Sequence, residues 1–252
     1  MFADAHAHMS DYSEEELNKT LERAKANGIE LVVALGADGE TSRRTVALAK
    51  ERPMVYAAVG IHPWFLKASF TDDDLREIRS LANEEKVAFI GEIGLDMNRN
   101  ADRLEEQKKV FTSLLNLAKE LDLPVQVHCR DADREILDIL EREGMPSRGG
   151  IAHGYRGNPE FIPAYLDLGF YISIGRSGRE INEESEAVIK AIPLERLLLE
   201  TDSSASSYAS EDGYEPASVT VIAGNIAGVK GVHVDEVGST TTGNLKKLMR
   251  IS

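Results

Sequence analysis

In the stretch Leu123-Pro124-Val125-Gln126-Val127-His128-Cys129-Arg130-Asp131-Ala132, residues 124–127 read as a buried strand, with a histidine and an arginine just beyond it. The run is short, opens on a proline and is mostly apolar, which suits a strand covered on both faces. Residues 2–5, 30–35, 55–60, 87–90, 150–152, 170–174 and 197–199 have the same form, giving eight candidate strands. Helical patterns lie between them. Ser13 followed by Glu16 is a capping-box pair, and that helix stops at Asn27-Gly28. Thr71-Asp72-Asp73-Asp74 puts a cap and acidic groups where a helix dipole favours them. The longest helix is expected over 102–121, and two more, over 216–226 and 234–249, follow the last strand. Eight β–α units in a row form a closed (β/α)₈ barrel, the TIM-barrel member of the α/β class, more readily than an open doubly wound sheet. No linker rich in Pro, Gly or Ser divides the chain, so residues 1–252 are expected to form a single domain.

Length and composition agree. The chain has 252 residues, and such barrels have about 250. Hydrophobic residues make up 42% and charged residues 29%, as in a globular protein and unlike a disordered one. The formal net charge of −14 repels phosphate backbones at long range, so a nucleic-acid substrate would need metal ions and a locally basic rim. Cys129 is the single cysteine, which excludes an intramolecular disulfide and fits a reducing compartment. The first residues lack the basic and apolar regions of a signal peptide, and no apolar run approaches the roughly 20 residues of a membrane span. The expectation is a cytoplasmic protein without membrane association, monomeric or a small homo-oligomer.

Five of the six histidines stand where apolar runs end. In Asp4-Ala5-His6-Ala7-His8, residues two apart in an extended segment face the same side, so His6 and His8 can offer two imidazoles to one ion. Asp4 is a candidate to orient a neighbour. In Gly91-Glu92-Ile93-Gly94-Leu95-Asp96 a carboxylate closes an apolar run. Buried, Glu92 needs a cation or strong donors, either a structural basic residue or metal ions that its two oxygens could bridge. Asp96 is a supporting group or a solvated loop residue. His128 and His153 end further runs, and Asp202 follows the last in Leu199-Glu200-Thr201-Asp202-Ser203, where it is a metal ligand and proton acceptor or a helix cap. Arg130 could grip an anionic substrate group or pair with Asp131 or Asp133. His62, in Gly60-Ile61-His62-Pro63-Trp64, is a candidate substrate contact or stacks on Trp64. His233 reads as structural or exposed, and Cys129 as a small buried residue. In a barrel the strand ends converge on one face, where active sites sit. A set of nitrogen and oxygen ligands without thiolate suits Zn²⁺, Mn²⁺ or Mg²⁺, and two such ions could share Glu92.

From Ala3 to about Leu248 the sequence resembles the TatD family of metal-dependent hydrolases, in the amidohydrolase-like superfamily. The motifs are DAHAH at 4–8, GIHPW at 60–64, GEIGLD at 91–96, LPVQVHCRDA at 123–132, AHGYRG at 152–157 and LLLETDS at 197–203. The resemblance implies two divalent ions, one held by His6, His8, Glu92 and Asp202, the other by Glu92, His128 and His153. It also implies Asp202 as the catalytic general base and a deoxyribonuclease or phosphodiesterase activity, of the 3'-5' exonuclease type, with nucleic acid as substrate. Ester or amide hydrolysis, D-aminoacyl-tRNA deacylation included, is the alternative activity, and a non-catalytic metal-binding protein the remaining one. Two motifs depart from the family pattern. HGYRG stands at 153–157 where HCFSG is common, and TDSSASSY at 201–208 where a proline and an aromatic commonly follow TDS. Arg130, Arg99, Arg156, Arg176 and Lys67 are the basic residues placed to supply the rim.

Overall fold

The computed structural model describes residues 1–66, 70–205 and 213–251. Lys67 and the Ser206-Ser207-Tyr208 end of the divergent TDSSASSY loop lie outside them. Eight parallel strands occur in the order of the chain, each neighbour paired to the next. They are β1 (Phe2–Ala7), β2 (Ile29–Leu35), β3 (Val55–Val59), β4 (Val87–Asp96), β5 (Val125–Arg130), β6 (Gly150–Ala152), β7 (Phe170–Ile174) and β8 (Leu197–Leu199). The helices are α1 (Glu14–Ala26), α2 (Gly39–Glu51), α3 (Asp72–Ala82), α4 (Leu104–Leu121), α5 (Asp133–Glu143), α6 (Ile162–Asp167), α7 (Glu183–Ala191), α8 (Val219–Lys230) and α9 (Val234–Met249). The barrel closes at a short parallel seam between β1 and the residues after β8. There the Asp202 N–H donates to the His6 carbonyl at 2.8 Å, and the His8 N–H to the Ser203 carbonyl at 2.7 Å.

The capping signals act as the sequence foretold. Ser13 and Glu16 close a reciprocal capping box on α1, and Thr71 with Asp74 does the same on α3, each cap contributing about 0.5–2 kcal/mol. The Asp102 end of the long helix is instead a tight 3₁₀ turn, Ala101–Arg103, ahead of α4, and Pro216–Ser218 forms another ahead of α8. Side chains of each strand part between two apolar layers. In β2, Val32 and Ala34 pack outward among the helices, while Leu31, Val33 and Leu35 fill the barrel with Ala58, Phe89, Ile151 and Leu198. Leu245, Leu248 and Met249 of α9 join that inner layer and plug the end where the strands begin. No single helix among the described residues is long and apolar enough to cross a membrane.

Three strands run further than their apolar runs: β1 to Ala7, β4 to Asp96 and β5 to Arg130. Glu92 and Asp96 therefore lie inside β4, and His128 inside β5, rather than past the strand ends. β4 continues through Gly91 and Gly94. Gly94 has φ +149°, and a Cβ there would sit 2.0 Å from the His128 carbonyl oxygen, so only glycine lets β4 lie this close to β5. Register shifts in β1, between Asp4 and Ala7, and in β4, between Ile90 and Ile93, change which face the later residues occupy. That turns His6 and Glu92 toward one another at the top of the barrel.

Candidate metal centre

Glu92 is the hub. Its side chain is 2% exposed and its two oxygens face two groups of imidazoles. Oε2 lies 3.3 Å from His6 Nε2 and 3.5 Å from His8 Nε2. Asp202 Oδ1 completes that group, 3.7 Å from His6 Nε2 and 3.4 Å from His8 Nε2. Oε1 lies 2.9 Å from His128 Nδ1, 3.1 Å from His153 Nε2 and 3.2 Å from His62 Nε2. Every residue named from the sequence as a ligand is thus within one cluster, and His62 joins it.

The outer partner of each ring fixes which nitrogen keeps a lone pair. His6 Nδ1–H donates to Gln126 Oε1 at 2.8 Å, and the Gln126 amide donates in turn to the Ala5 carbonyl. His153 Nδ1–H donates to Glu200 Oε1 at 3.0 Å, and His128 Nε2–H to Asp96 Oδ2 at 3.0 Å. The lone pairs of His6 Nε2, His153 Nε2 and His128 Nδ1 therefore all point toward Glu92. His62 is different. Its Nδ1 accepts from the Trp64 N–H at 3.0 Å, so its neutral ring carries the proton on Nε2 and donates to Glu92 or His128.

Lone pairs facing carboxylate oxygens need positive charge between them. His6 Nε2 is buried with no hydrogen-bond partner of its own. Ligands about 2.0–2.2 Å from a divalent ion at angles of 90–110° stand roughly 3.0–3.5 Å apart, close to the 3.3–3.7 Å separations on the Oε2 side. By atom type and spacing the donors fit a divalent cation. Electrostatics agree. Burial pulls the His8 imidazolium down, but Asp202 and Glu92 outweigh it and hold its pKa at about 10. Burial likewise opposes, and Glu200 and Glu92 reverse, the shift at His153, which ends well above the usual histidine range. Burial raises the Glu92 carboxyl, yet His62, His153 and His6 bring it far below the usual range.

A further layer anchors the clustered side chains. Asp4 accepts from the His6 and Thr201 N–H groups and the Thr201 hydroxyl, tying β1 to the loop that carries Asp202. Burial, opposed by those hydrogen bonds, pushes its carboxyl up to about 8. Asp96 accepts from the Trp64 indole at 2.6 Å and from the Asn98 and Arg99 N–H groups, as well as from His128. Burial raises its carboxyl and these donors overcome it, leaving it well below the usual range. Asp202 sits in the left-handed region at φ +56°, a conformation that Asp adopts more readily than most residues and that places its carboxylate over the mouth. Burial pushes the Cys129 thiol up to about 12, so it is inert there.

The sequence motifs contained Glu200 and Gln126 without assigning them a role. Glu200 is fully buried and ends an apolar run just as Glu92 does, so the demand for a partner was legible there. Gln126 had only its polarity inside a strand to mark it. Around the mouth, Arg130 has no carboxylate within 4 Å among the described residues, and its Nη1 donates to the Cys129 carbonyl. Pairing to Asp131 or Asp133 is thus not what holds it. Arg99 lies over the Trp64 ring at 3.9 Å, and Arg176 and Arg179 over Tyr214 at 4.9 and 4.6 Å. Tyr155 is buried and donates to the Asn158 carbonyl, while Arg156 is exposed. Trp64 and Phe65 are 39% and 51% exposed beside His62. His233 is exposed and caps α9.

A family model described as TatD related DNase matches residues 3–250. The chain is 37% identical over 256 residues to an uncharacterized metal-dependent hydrolase, YabD, of Bacillus subtilis, covering all of both chains. It is 36% identical over 192 residues to the 3'-5' ssDNA/RNA exonuclease TatD of Yersinia pseudotuberculosis, covering 74% of this chain and 73% of that one. The crystal structure of YjjV, a TatD homolog from Escherichia coli, superposes with a TM-score of 0.91 at 28% identity, covering 100% of this chain and 98% of that one.

Proposed function

The chain belongs to the TatD-related family of metal-dependent hydrolases, and on that footing we propose that it hydrolyses phosphodiester bonds of single-stranded nucleic acid. The observation that supports this best is a contrast. In a protein of net charge −14, cation-seeking donors converge on Glu92 while Arg99, Arg130, Arg156, Trp64 and Phe65 stand round the opening above them. A basic, aromatic rim is what a flexible strand of phosphates and bases requires.

In this reading His6, His8, Asp202 and Glu92 would hold one divalent ion, and Glu92, His128 and His153 a second. Such ions would supply Lewis acidity for a phosphoryl oxygen and a bound water acidic enough to react near neutral pH. Asp202 takes the proton. With side-chain exposures of 29% and 24%, Asp202 and His8 are the ligands water reaches, whereas His6, Glu92, His128 and His153 are 3% exposed or less. Arg130, unpaired with any carboxylate among the described residues, grips a non-bridging phosphate oxygen and offsets charge that develops on it. The faces of Trp64 and Phe65 stack bases without choosing among them. His62, 4% exposed, acts in this scheme by donating to Glu92 or His128 and keeping the hub oriented, in place of touching substrate. The polarity proposed is that named for the Yersinia relative, 3'-5'.

The test is degradation of end-labelled single-stranded DNA and RNA by the purified chain with Mg²⁺, Mn²⁺ or Zn²⁺. Ordered loss from the 3' end, abolished by chelator and cut at least a hundredfold by Asp202→Asn, is expected. Intact oligonucleotides alongside metal-dependent turnover of amide, lactone or D-aminoacyl ester substrates would replace this reading with carbonyl hydrolysis.

A further inference from the structure

A second cleft, about 380 Å³, opens at the opposite end of the barrel, where β6, β7 and β8 begin and α9 ends. Four cations line it: Arg148 before β6, Arg196 before β8, and Lys247 and Arg250 at the end of α9. No carboxylate does, among the described residues. Acidic side chains outnumber basic ones by 43 to 29 in this chain, so four unopposed cations in one cleft run against the composition. Gly149 and Gly169, at φ +75° and +85°, form part of its wall and put no side chain into it.

The cations are poorly compensated. Arg250 Nη1 reaches Asp122 Oδ2 at 2.8 Å, outside the lining, and that is the one ion pair in the group among the described residues. Neither Arg196 nor Lys247 has a carboxylate within 4 Å among the described residues. Arg196 lies over the Tyr171 ring at 5.2 Å, and Lys247 is exposed. Arg148 spends its Nη atoms on the Leu248 and Asp122 carbonyls, and its Nε is buried without a partner. Burial and then the neighbouring Arg250 charge depress Arg148 ionisation, with Asp122 opposing. Complementing the negative end of the α9 dipole accounts for Arg148 and the helix's own cations. It does not account for Arg196, which comes from a different turn and touches an aromatic ring.

We propose that this cleft binds a phosphate-bearing anion of mononucleotide size, at a site separate from the metal centre. Its volume falls within the roughly 300–1,000 Å³ of small-molecule sites and exceeds what one inorganic phosphate fills. Four cations against Asp122 leave three uncompensated charges, matched by an anion of two to three charges. Guanidinium forks suit tetrahedral phosphate oxygens. The inference does not depend on the hydrolytic reading, and its test is run without metal so that the two fail separately.

The chelator-treated chain is titrated calorimetrically with pyrophosphate, AMP, ADP, sulfate and a ten-residue oligodeoxynucleotide. Pyrophosphate and ADP are expected to bind one per chain and to slow hydrogen exchange over 146–150 and 247–251. Arg196→Gln with Lys247→Gln is expected to weaken binding at least about tenfold and to leave metal-dependent hydrolysis unchanged. Lys247→Glu alone, at an exposed and unpaired position, repeats the comparison should the double variant misfold. Absence of binding below about 10 mM, equal binding by sulfate (an adventitious ion only), unchanged affinity in the variants, or protection over 153–157 and 201–205 instead would each overturn the proposal. Binding of the oligonucleotide but not of ADP would also overturn it, in favour of a strand path.

Discussion

Replacing Glu92 by glutamine tests whether the cluster is built for a cation or for the fold. The substitution keeps shape and removes one buried charge. An ion present at about a thousand times its dissociation constant adds about 4 kcal/mol to the folded state. Unfolding a chain of 252 residues carries an entropy of about 0.5 kcal/mol/K, from ~2.1 cal/mol/K per residue, so the wild type should melt about 8 °C higher with metal than with chelator. A hundredfold weaker ion at the same concentration leaves about 1.4 kcal/mol, a rise of under ~3 °C. Without metal, Glu92 keeps charged His8 and His153 as partners, and Glu92→Gln gives up those pairs. Metal-free Glu92→Gln should therefore melt at or slightly below metal-free wild type near neutral pH. Differential scanning fluorimetry with and without chelator reads both quantities. Equal metal increments in the two proteins would refute Glu92 as a ligand. A chelated variant melting about 5 °C or more below chelated wild type would show that the carboxylate serves the fold.

Asp133 offers a test of the electrostatics away from the ligands. Burial, opposed by the Tyr165 hydroxyl, raises its carboxyl. A carboxyl raised on folding costs stability once pH exceeds its unfolded value of about 3.9. Asp133→Asn should therefore stabilise the protein at pH 7 and lose that gain below about pH 3.5; an equal gain at both pH values would contradict the burial account. At the rim, Phe65→Ala should raise KM for single-stranded oligonucleotides about tenfold and leave KM for a small phosphodiester unchanged. Arg130→Gln should impair both substrates, mainly in kcat, as expected of a group that meets the reacting phosphate. Identical effects of the two substitutions on both substrates would remove the division of labour between base stacking and phosphate contact.

The residues of the cluster were legible because each follows an apolar run, and a barrel brings strand ends together whatever their distance in sequence. His6 and His153 stack at 3.8 Å between centroids across most of the chain, yet each could be placed from its own strand. Supporting groups lack that local mark. The His6–Gln126 hydrogen bond spans 120 positions, and nothing in Gln126 as a sequence letter names the ring it holds. The strand limits failed for a related reason. The apolar run 87–90 ends before Gly91, glycine weakens a strand in general, and what Gly91 and Gly94 do here depends on where Gln126 and the His128 carbonyl lie. His62 read equally well as a loop residue, and only the Trp64 N–H at its Nδ1 tells which nitrogen bears the proton.

One consequence of the closure seam joins fold and site. The hydrogen bonds that shut the barrel run from Asp202 to His6 and from His8 to Ser203, so three of the four residues proposed for one ion carry the backbone groups that seal β1 against the end of β8. Asp4 strengthens the same seam by accepting from Thr201 and from the His6 N–H. The first strand and the last thus come together only as the ring closes, through contacts such as Thr201 to Asp4 that span 197 positions, and contacts of such long range are expected to form late. An ion held by His6, His8 and Asp202 would bridge that seam directly. Metal binding should then slow unfolding more than it speeds folding, because the contacts it stabilises form after the rate-limiting step. The tie also explains why the left-handed turn at Asp202 is tolerated. Its N–H is committed to closing the barrel, and its carboxylate is left over the mouth, where the proposed ion and water would meet it.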